Sequence, residues 1–254
     1  MASIDLAALT HNLELLSGAL GVDQPLVDLR ASAYGHGLVE VALAAEAAAI
    51  TAFRVSSLAE ALVLRDGGVG ADIWSPLRDG EAQSAREADI RALGDGTDAQ
   101  DDAARRDLGA GVYGLASPAG IRTTAVMTLT AEVIAVKTVA AGTGVSYGYT
   151  YRAPTDTSIA LVSIGYADGV PRLGSNTASA QLAGETYPVV GRIAMDQLVL
   201  DIGTARAQPG DIATVFGDAA LGAPTAIEWG LRTRRPPLAL TAGLGCRIVR
   251  TYTP

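Results

Sequence analysis

The first ninety residues alternate between helical and strand-like hydrophobic patterns. Apolar residues recur three or four positions apart along 4–20, which is typical of one face of an amphipathic helix. Short runs with strand composition follow at 26–31, 52–56, 72–75, 90–93 and 109–113. Further helical patterns lie at 38–49, 57–66 and 80–88. This alternation predicts a parallel sheet or barrel with right-handed crossovers.

The pattern changes after about residue 122, where short strand-like runs are separated by Gly and Pro clusters. These runs lie at 126–139, 158–164, 178–182, 187–190, 198–202 and 212–216. Such spacing is typical of a β-domain. A Pro-containing stretch at 116–124 predicts the boundary, and the chain divides into 1–120 and 121–254. The expected fold class is therefore α/β plus β.

Composition and charge exclude several functions. The 254 residues carry a formal net charge of −8, which argues against nucleic-acid binding. No apolar run reaches the ~18–20 residues of a membrane span, and the N-terminus lacks the pattern of a signal peptide. Cys246 is the only cysteine and there are two histidines, so neither a disulfide nor a metal cage is expected. We expect a cytoplasmic protein.

Lysine is almost absent from the sequence. Of the 19 basic residues, Lys137 is the only lysine and the others are arginines. At most one side chain can therefore form a Schiff base with a carbonyl compound.

Several segments resemble the alanine racemase family and occur in the same order. They are Ile4-Asp5-Leu6, Arg30-Ala31-Ser32-Ala33-Tyr34-Gly35-His36-Gly37, Gly144-Val145-Ser146-Tyr147-Gly148, Gly165-Tyr166-Ala167-Asp168-Gly169, residues 190–197, Gly210-Asp211 and residues 247–252. The resemblance implies an N-terminal (β/α)₈ barrel, a C-terminal β-domain and a head-to-tail homodimer. In that dimer each active site borrows residues from the partner's β-domain. It also implies pyridoxal phosphate (PLP) as cofactor.

Two positions depart from the family in ways that concern the cofactor. Arg30 stands where the family has the lysine that holds PLP, and a guanidinium stays protonated and does not attack carbonyls. Asp107 stands where the family has an arginine beside the pyridine nitrogen, although a one-residue slip would place Arg106 there. These departures predict a protein that uses no PLP.

The barrel region is also too short. A complete barrel needs ~250 residues, but only about 120 precede the boundary, which is room for roughly four βα units of ~30 residues. Five candidate strands can be found instead of eight, and the stretch 93–105 replaces the middle of the barrel. We therefore predict a truncated or incomplete TIM-type (β/α) barrel before the β-domain.

Charged residues lie on one face of the predicted strands. Because strand residues alternate between faces, Arg30 shares a face with Asp28, and Arg54 and Arg91 lie on the corresponding faces of their strands. One interpretation is a pocket for an anion such as a substrate carboxylate. The other is a set of structural ion pairs that replaces the lost barrel wall.

Other candidates follow from the resemblance. Tyr34 and Tyr252 match tyrosines near the cofactor phosphate, and Tyr147 matches the second acid/base of the racemases. The residues that match the substrate entrance and the carboxylate site are Tyr166, Met195 and Asp196. The tyrosines could instead be interface residues kept for dimer packing.

The sequence thus predicts a PLP-independent enzyme derived from alanine racemase. It would catalyse isomerisation, cyclisation or elimination of a small anionic metabolite, in specialised metabolism. The predicted catalytic residues are Tyr147, Arg30 and Asp196, and the predicted substrate-binding residues are Asp28, Tyr34, Arg54, Tyr166, Met195 and Tyr252. The alternatives are a residual PLP-binding alanine racemase and a non-catalytic dimeric scaffold.

Overall fold

The computed structural model describes residues 1–22, 24–93 and 106–254. Within them the chain forms two compact units. The barrel unit comprises residues 5–126 and 252–254, and the β unit comprises residues 1–4 and 127–251. No helix of the described part is long and apolar enough to cross a bilayer.

The barrel unit contains a four-stranded parallel sheet in the order β2-β3-β4-β5. Its strands are β2 (Leu26–Asp28), β3 (Ala52–Arg54), β4 (Asp72–Ser75) and β5 (Ile90–Ala92). Its helices are α1 (Leu6–Leu20), the short turn α2 (Arg30–Tyr34), α3 (Leu38–Ala47), α4 (Leu58–Asp66) and α5 (Ala82–Glu87). This is the βα alternation that the hydrophobic pattern predicts.

Polar side chains fix where the helices begin. Asp5 caps α1 by accepting a hydrogen bond from the Ala8 backbone at 2.8 Å, and Ser57 caps α4 by accepting one from Glu60. Such caps satisfy N–H groups that have no partner in the first helical turn. The caps therefore set the starting points of α1 and of α4, the crossover helix between β3 and β4.

The two faces of the parallel sheet differ in polarity. Every member of one row is apolar and nearly fully buried; the row consists of Val27, Phe53, Ile73 and Ile90. One residue further along each strand, the register aligns Asp28, Arg54, Trp74 and Arg91 on the opposite face. Adjacent residues of a strand point to opposite faces, so these four side chains share the polar face.

Two sequence predictions about local structure are wrong. The strand predicted at 26–31 ends at Asp28, and Arg30 begins α2. The segment Gly109–Tyr113 forms a 3-10 turn instead of a strand, because the Asp107 carboxylate accepts a hydrogen bond from the Gly109 backbone at 2.7 Å. A parallel bridge from Leu26 to Asp107 remains beside β2. The predicted replacement segment falls almost entirely at 94–105, outside the described residues.

The β unit is built around an antiparallel sheet. The order is β11-β10-β13-β6-β1-β14, with β9 paired to β6 and β12 paired to β9. The strands are β1 (Ala2–Asp5), β6 (Met127–Val139), β9 (Thr157–Val162), β10 (Ser179–Leu182), β11 (Glu185–Pro188), β12 (Leu198–Gly203), β13 (Ile212–Phe216) and β14 (Arg250–Thr253). A two-stranded ribbon consists of β7 (Gly144–Val145) and β8 (Tyr151–Arg152), and the helices are α6 (Ala226–Thr233) and α7 (Pro237–Ala242). The long strand β6 contacts three neighbours and organises the unit.

Candidate functional site

Asp28, Arg30 and Tyr34 form a hydrogen-bonded cluster where β2 ends. The Arg30 Nε donates to both carboxylate oxygens of Asp28, at 2.9 and 2.8 Å, and its Nη2 forms an ion pair with the same carboxylate. The Tyr34 hydroxyl donates to Asp28 Oδ2 at 2.6 Å and accepts from Arg30 Nη2 at 3.2 Å. Asp28 is 4% exposed and the Arg30 side chain is 41% exposed. The buried carboxylate is thus saturated, and the guanidinium keeps an open side.

The cluster fixes the charges of its members near neutral pH. Burial alone raises the pKa of Asp28, but hydrogen bonds from Arg30 and Tyr34 outweigh it and hold the pKa below its ordinary value. The hydrogen bond to Asp28 raises the pKa of Arg30 above its already high ordinary value. Burial, followed by the bond to Asp28, raises the pKa of Tyr34 to about 12. Tyr34 is therefore a neutral hydroxyl and not a base.

The cluster sits on a left-handed turn. Ala31, Ser32 and Ala33 have φ of 52°, 57° and 53°, and Tyr34 has φ of 50°. A left-handed helical conformation costs L-residues about 1–2 kcal/mol each. The Ala33 backbone donates to the Leu29 carbonyl at 2.8 Å, which helps to hold the turn. Strained backbone of this kind concentrates at ligand-binding and active sites.

Tyr252 lies against Gly37, just after this turn. Gly37 has φ of +107°, and a Cβ there would lie 2.0 Å from the Tyr252 hydroxyl oxygen. Only glycine allows this approach. The structure therefore brings Tyr252 close to the segment that carries Tyr34.

Tyr113 packs against the cluster of Asp28, Arg30 and Tyr34. It was not among the site residues predicted from the sequence. Its hydroxyl donates to the Asp28 carbonyl at 2.6 Å, and its ring makes an edge contact with Tyr34, with 5.6 Å between centroids. Burial raises its pKa well above the ordinary value. Its ring also packs on buried His36. One buried aromatic residue in a Gly-rich segment gives no signal of this contact in the sequence.

The other arginines of the polar row have different partners. Arg91 forms an ion pair with Asp72 at 2.8 Å and lies over the Trp74 ring, 5.5 Å from its centroid. Within the described residues, Arg54 Nε and Trp74 Nε1 are buried and have no hydrogen-bond partner. Asp107 lies close enough to interact electrostatically with Arg54, and burial raises its pKa. Arg54 is thus a charged residue without an ion-pair partner in the described part of the chain.

A separate cavity of about 630 Å³ lies in the β unit. Four chemically notable residues line it, namely Lys137, Tyr147, Met195 and Asp196. Tyr147 is 70% exposed and Met195 is 52% exposed. Lys137 lies on β6 and Tyr147 lies beyond the end of that strand, but both line the same cavity.

Asp196 and Tyr166 have partners of their own within the β unit. Arg247 Nη2 lies 2.8 Å from Asp196 and 2.9 Å from Asp168, so the Asp196 carboxylate is already ion-paired. The Tyr166 ring stacks under Arg172 and lines a different cavity, of about 430 Å³. The three residues that match the family's substrate entrance therefore divide between two cavities.

Family models match both parts of the chain. Residues 4–106 match the alanine racemase N-terminal domain, and residues 126–252 match the alanine racemase C-terminal domain. The order of the two domains agrees with the order of the motifs.

Individual alanine racemases also match the chain. An alanine racemase from Salinispora tropica is 47% identical over 123 residues, which are 48% of this chain and 33% of that protein. The chain spans about a third of the length of the first such relatives. Alanine racemases from Beutenbergia cavernae and Mycolicibacterium vanbaalenii align over 99% of the chain and over 97% and 94% of their own lengths, at 29% and 30% identity. The Beutenbergia alignment runs over 366 residues against 254 here, so more than a hundred positions have no counterpart.

Solved structures show the same fold. Alanine racemase from a D-cycloserine-producing Streptomyces lavendulae superposes with a TM-score of 0.89 at 26% identity and covers 100% of this chain and 96% of its own. The Streptomyces coelicolor enzyme gives 0.80 at 25%, covering 99% and 97%. The predicted fold class, a barrel-like domain followed by an alanine-racemase-like β-domain, is confirmed.

The prediction of no cofactor is contradicted. The matched proteins are alanine racemases, and one with the same fold, from Bartonella henselae, contains covalently bound pyridoxal phosphate (TM-score 0.77, 20% identity, covering 100% of this chain and 99% of its own). The departures at positions 30 and 107 are thus not sufficient to predict loss of the cofactor. With both domain models matched in order over most of its length, the chain belongs to the alanine racemase family.

Proposed function

We propose that this protein binds pyridoxal phosphate and acts on a small α-amino acid, as a residual alanine racemase. The named activity of its relatives and the match to both family domains support this proposal. The reaction class is that of an isomerase.

Position 30 does not fit covalent attachment of the cofactor. Attachment needs a primary amine, and Arg30 offers a guanidinium that Asp28 and Tyr34 already hold. An anion fits better, because the open side of Arg30 is exposed and Tyr34 is a neutral hydroxyl. Tyr252, beside Gly37, adds a second hydroxyl that by resemblance lies near the phosphate. We therefore propose that PLP is held without a bond to residue 30.

When bound, PLP supplies an electron sink that stabilises negative charge at the amino acid's Cα. The protein's own part is to bind anions and to move a proton. Arg30 provides a fixed cation whose charge Asp28 partly balances. Tyr147, largely exposed beside its cavity, provides the Oη that exchanges a proton with Cα.

The observation that carries the proposal is the left-handed turn. Four consecutive residues, Ala31 to Tyr34, hold a conformation that L-residues avoid. A packed core gains nothing from such strain, whereas a site that must direct Arg30 and Tyr34 to a ligand does.

The test is spectroscopic and enzymatic. Protein with added PLP should show saturable absorbance of the free PLP aldehyde, without the longer-wavelength band of a Schiff base, lose it on dialysis, and retain no pyridoxyl group at residue 30 after borohydride treatment. Racemisation of L-alanine should depend on added PLP. Absence of saturable PLP binding together with absence of racemisation contradicts the proposal.

A double variant, Arg30→Lys with Asp28→Val, sharpens the test. It supplies an amine and removes the carboxylate that would pair with it. Its cofactor should survive dialysis and become fixed by borohydride. The control Arg86→Lys, on α5 of the same unit, should behave as the unmodified protein does.

We also propose a homodimer with shared active sites, as the resemblance implies. Its mass in solution, measured by light scattering, should be twice the chain mass of 25.9 kDa. A monomer that racemises alanine at the same rate contradicts shared sites.

A further inference from the structure

Two neighbouring residues on the polar face of the parallel sheet each carry a buried N–H donor without a hydrogen-bond partner in the described part of the chain. Arg54 and Trp74 are register partners on neighbouring strands β3 and β4. Their atoms Nε and Nε1 are buried and have no acceptor in the described ranges of the chain. Buried polar groups are nearly always hydrogen-bonded, and an exception calls for a missing ligand, ion or water. Two adjacent donors call for an acceptor that both can reach.

The charge of Arg54 indicates what kind of acceptor is missing. Arg30, which begins α2 just after the neighbouring strand β2, and Arg91 on β5 have the carboxylate partners Asp28 and Asp72. Within the described residues Arg54 forms no ion pair with a carboxylate; Asp107 interacts with it electrostatically and accepts a hydrogen bond from the Gly109 N–H. A partly buried cation without a partner is unfavourable. An anion would neutralise it.

The part of the sheet face beside Arg54 and Trp74 is apolar. Leu26 and Ala52 are fully buried register partners two residues before the polar row, and they therefore lie on the same face. Trp74 and Leu93 pack against them. A ligand whose anionic oxygens meet Arg54 and Trp74 would place its remaining atoms against Trp74 and Leu93, the partly buried members of this cluster. A short carboxylic acid meets both demands.

Arg91 holds the indole in place. It lies over the Trp74 ring, and the ion pair to Asp72 anchors it there. The direction of the Trp74 N–H is thus set before a ligand arrives, which lowers the cost of ordering the site. Arg91 is a positioning residue for this donor.

We propose that Arg54 and Trp74 bind the carboxylate of a small aliphatic carboxylic acid inside the barrel unit. One edge of the Arg54 guanidinium holds the two oxygens, and the Trp74 N–H donates to one of them. That the acid is an α-amino acid rests on the proposed function; the carboxylate site itself does not.

The test follows the indole N–H resonances of ¹⁵N-labelled protein without PLP. Trp74 is the reporter, and Trp229, whose Nε1 already donates to the Ser179 carbonyl, is an internal control. L-alanine, D-alanine and propionate should shift the Trp74 signal saturably and leave the Trp229 signal in place. Propionamide, which lacks the charge, should have no effect. Equal shifts with propionamide, or no saturable shift with any carboxylate, overturn the proposal.

Variants provide the second measurement. Arg54→Met should weaken propionate binding at least tenfold, and Arg54→Lys should weaken it less, because the charge remains while Nε is lost. The matched control is Arg86→Met, which should bind as the unmodified protein does. Wild-type affinity in Arg54→Met, with an otherwise unchanged spectrum, overturns the proposal. Carboxylate binding without PLP binding would uphold this site while contradicting the proposed function, and the reverse result would do the opposite.

Discussion

The buried carboxylate of Asp28 accepts hydrogen bonds from the Arg30 Nε through both of its oxygens, at 2.9 and 2.8 Å. The two residues are separated by one position, and the left-handed turn that follows brings the Tyr34 hydroxyl back to the same carboxylate. Asp28 therefore partly balances the charge of Arg30 within the chain.

Removal of this carboxylate should destabilise the barrel unit. Asp28→Asn leaves Arg30 without its counter-ion, and the expected loss in the free energy of unfolding is about 2 kcal/mol, below the value for a fully buried pair because Arg30 is partly exposed. Urea denaturation measures it. The control is Asp72→Asn, which breaks a largely exposed pair and should cost about 0–1 kcal/mol. Equal losses in the two variants would show that the Asp28–Arg30 pair stabilises the protein no more than the exposed Asp72–Arg91 pair does.

The same contact predicts acid sensitivity. The pKa of Asp28 is lower in the folded protein than its ordinary value of 3.8. Its contribution to stability is therefore present above 3.8 and is lost as the pH falls through the folded pKa. Urea midpoints measured between neutral pH and pH 3 should fall less steeply below 3.8 in Asp28→Asn than in the unmodified protein. Parallel curves of urea midpoint against pH for the two proteins would contradict the lowered pKa of Asp28.

Gly37 should not tolerate a side chain. Gly37→Ala adds both left-handed backbone strain and a clash with Tyr252, so we expect a loss of about 2–3 kcal/mol. Gly68→Ala is a matched control. Gly68 also has positive φ, of +87°, but an added Cβ there would lie in open space. The control should lose only about 1 kcal/mol, which isolates the strain. A Gly37→Ala loss no greater than the control's would exclude the Tyr252 contact.

Tyr147 should matter for activity and not for folding. With PLP added, Tyr147→Phe should lower the racemisation rate by about 10²–10⁴-fold, because the proton-transferring hydroxyl is removed. Tyr149→Phe changes a second exposed tyrosine of the same cavity and should have little effect. Progress curves from L- and D-alanine measure both variants. Equal rates for the two would remove Tyr147 from the proton transfer.

Hydrophobic patterning predicts the strands and their faces well. The alternation of Phe53 with Arg54 fixes which side chain meets the helices, because burial of the apolar face dominates the energy of the sheet. It also predicts that Asp28, Arg30, Arg54 and Arg91 share the opposite face, which is correct except for Arg30, because that residue begins α2. The alternation of apolar and polar residues within each strand is enough for this inference.

Contacts that depend on register or on unusual backbone could not be predicted. The pairing of Arg54 with Trp74 needs the alignment of two strands, which neither strand encodes alone. The strand ends at Asp28 because Leu29, with ψ of 12°, leaves the extended conformation. The left-handed turn from Ala31 to Tyr34 follows, and nothing in an Ala-Ser-Ala sequence signals such a turn. The prediction that the protein uses no PLP was wrong for a different reason. It gave departures at individual positions more weight than the match along the rest of the chain.

The turn from Ala31 to Tyr34 has a stereochemical consequence. Its backbone is the mirror image of an ordinary helical turn, and D-residues adopt that form without penalty. A semisynthetic chain with D-alanine at position 31 would therefore fit this turn better than the natural enantiomer does.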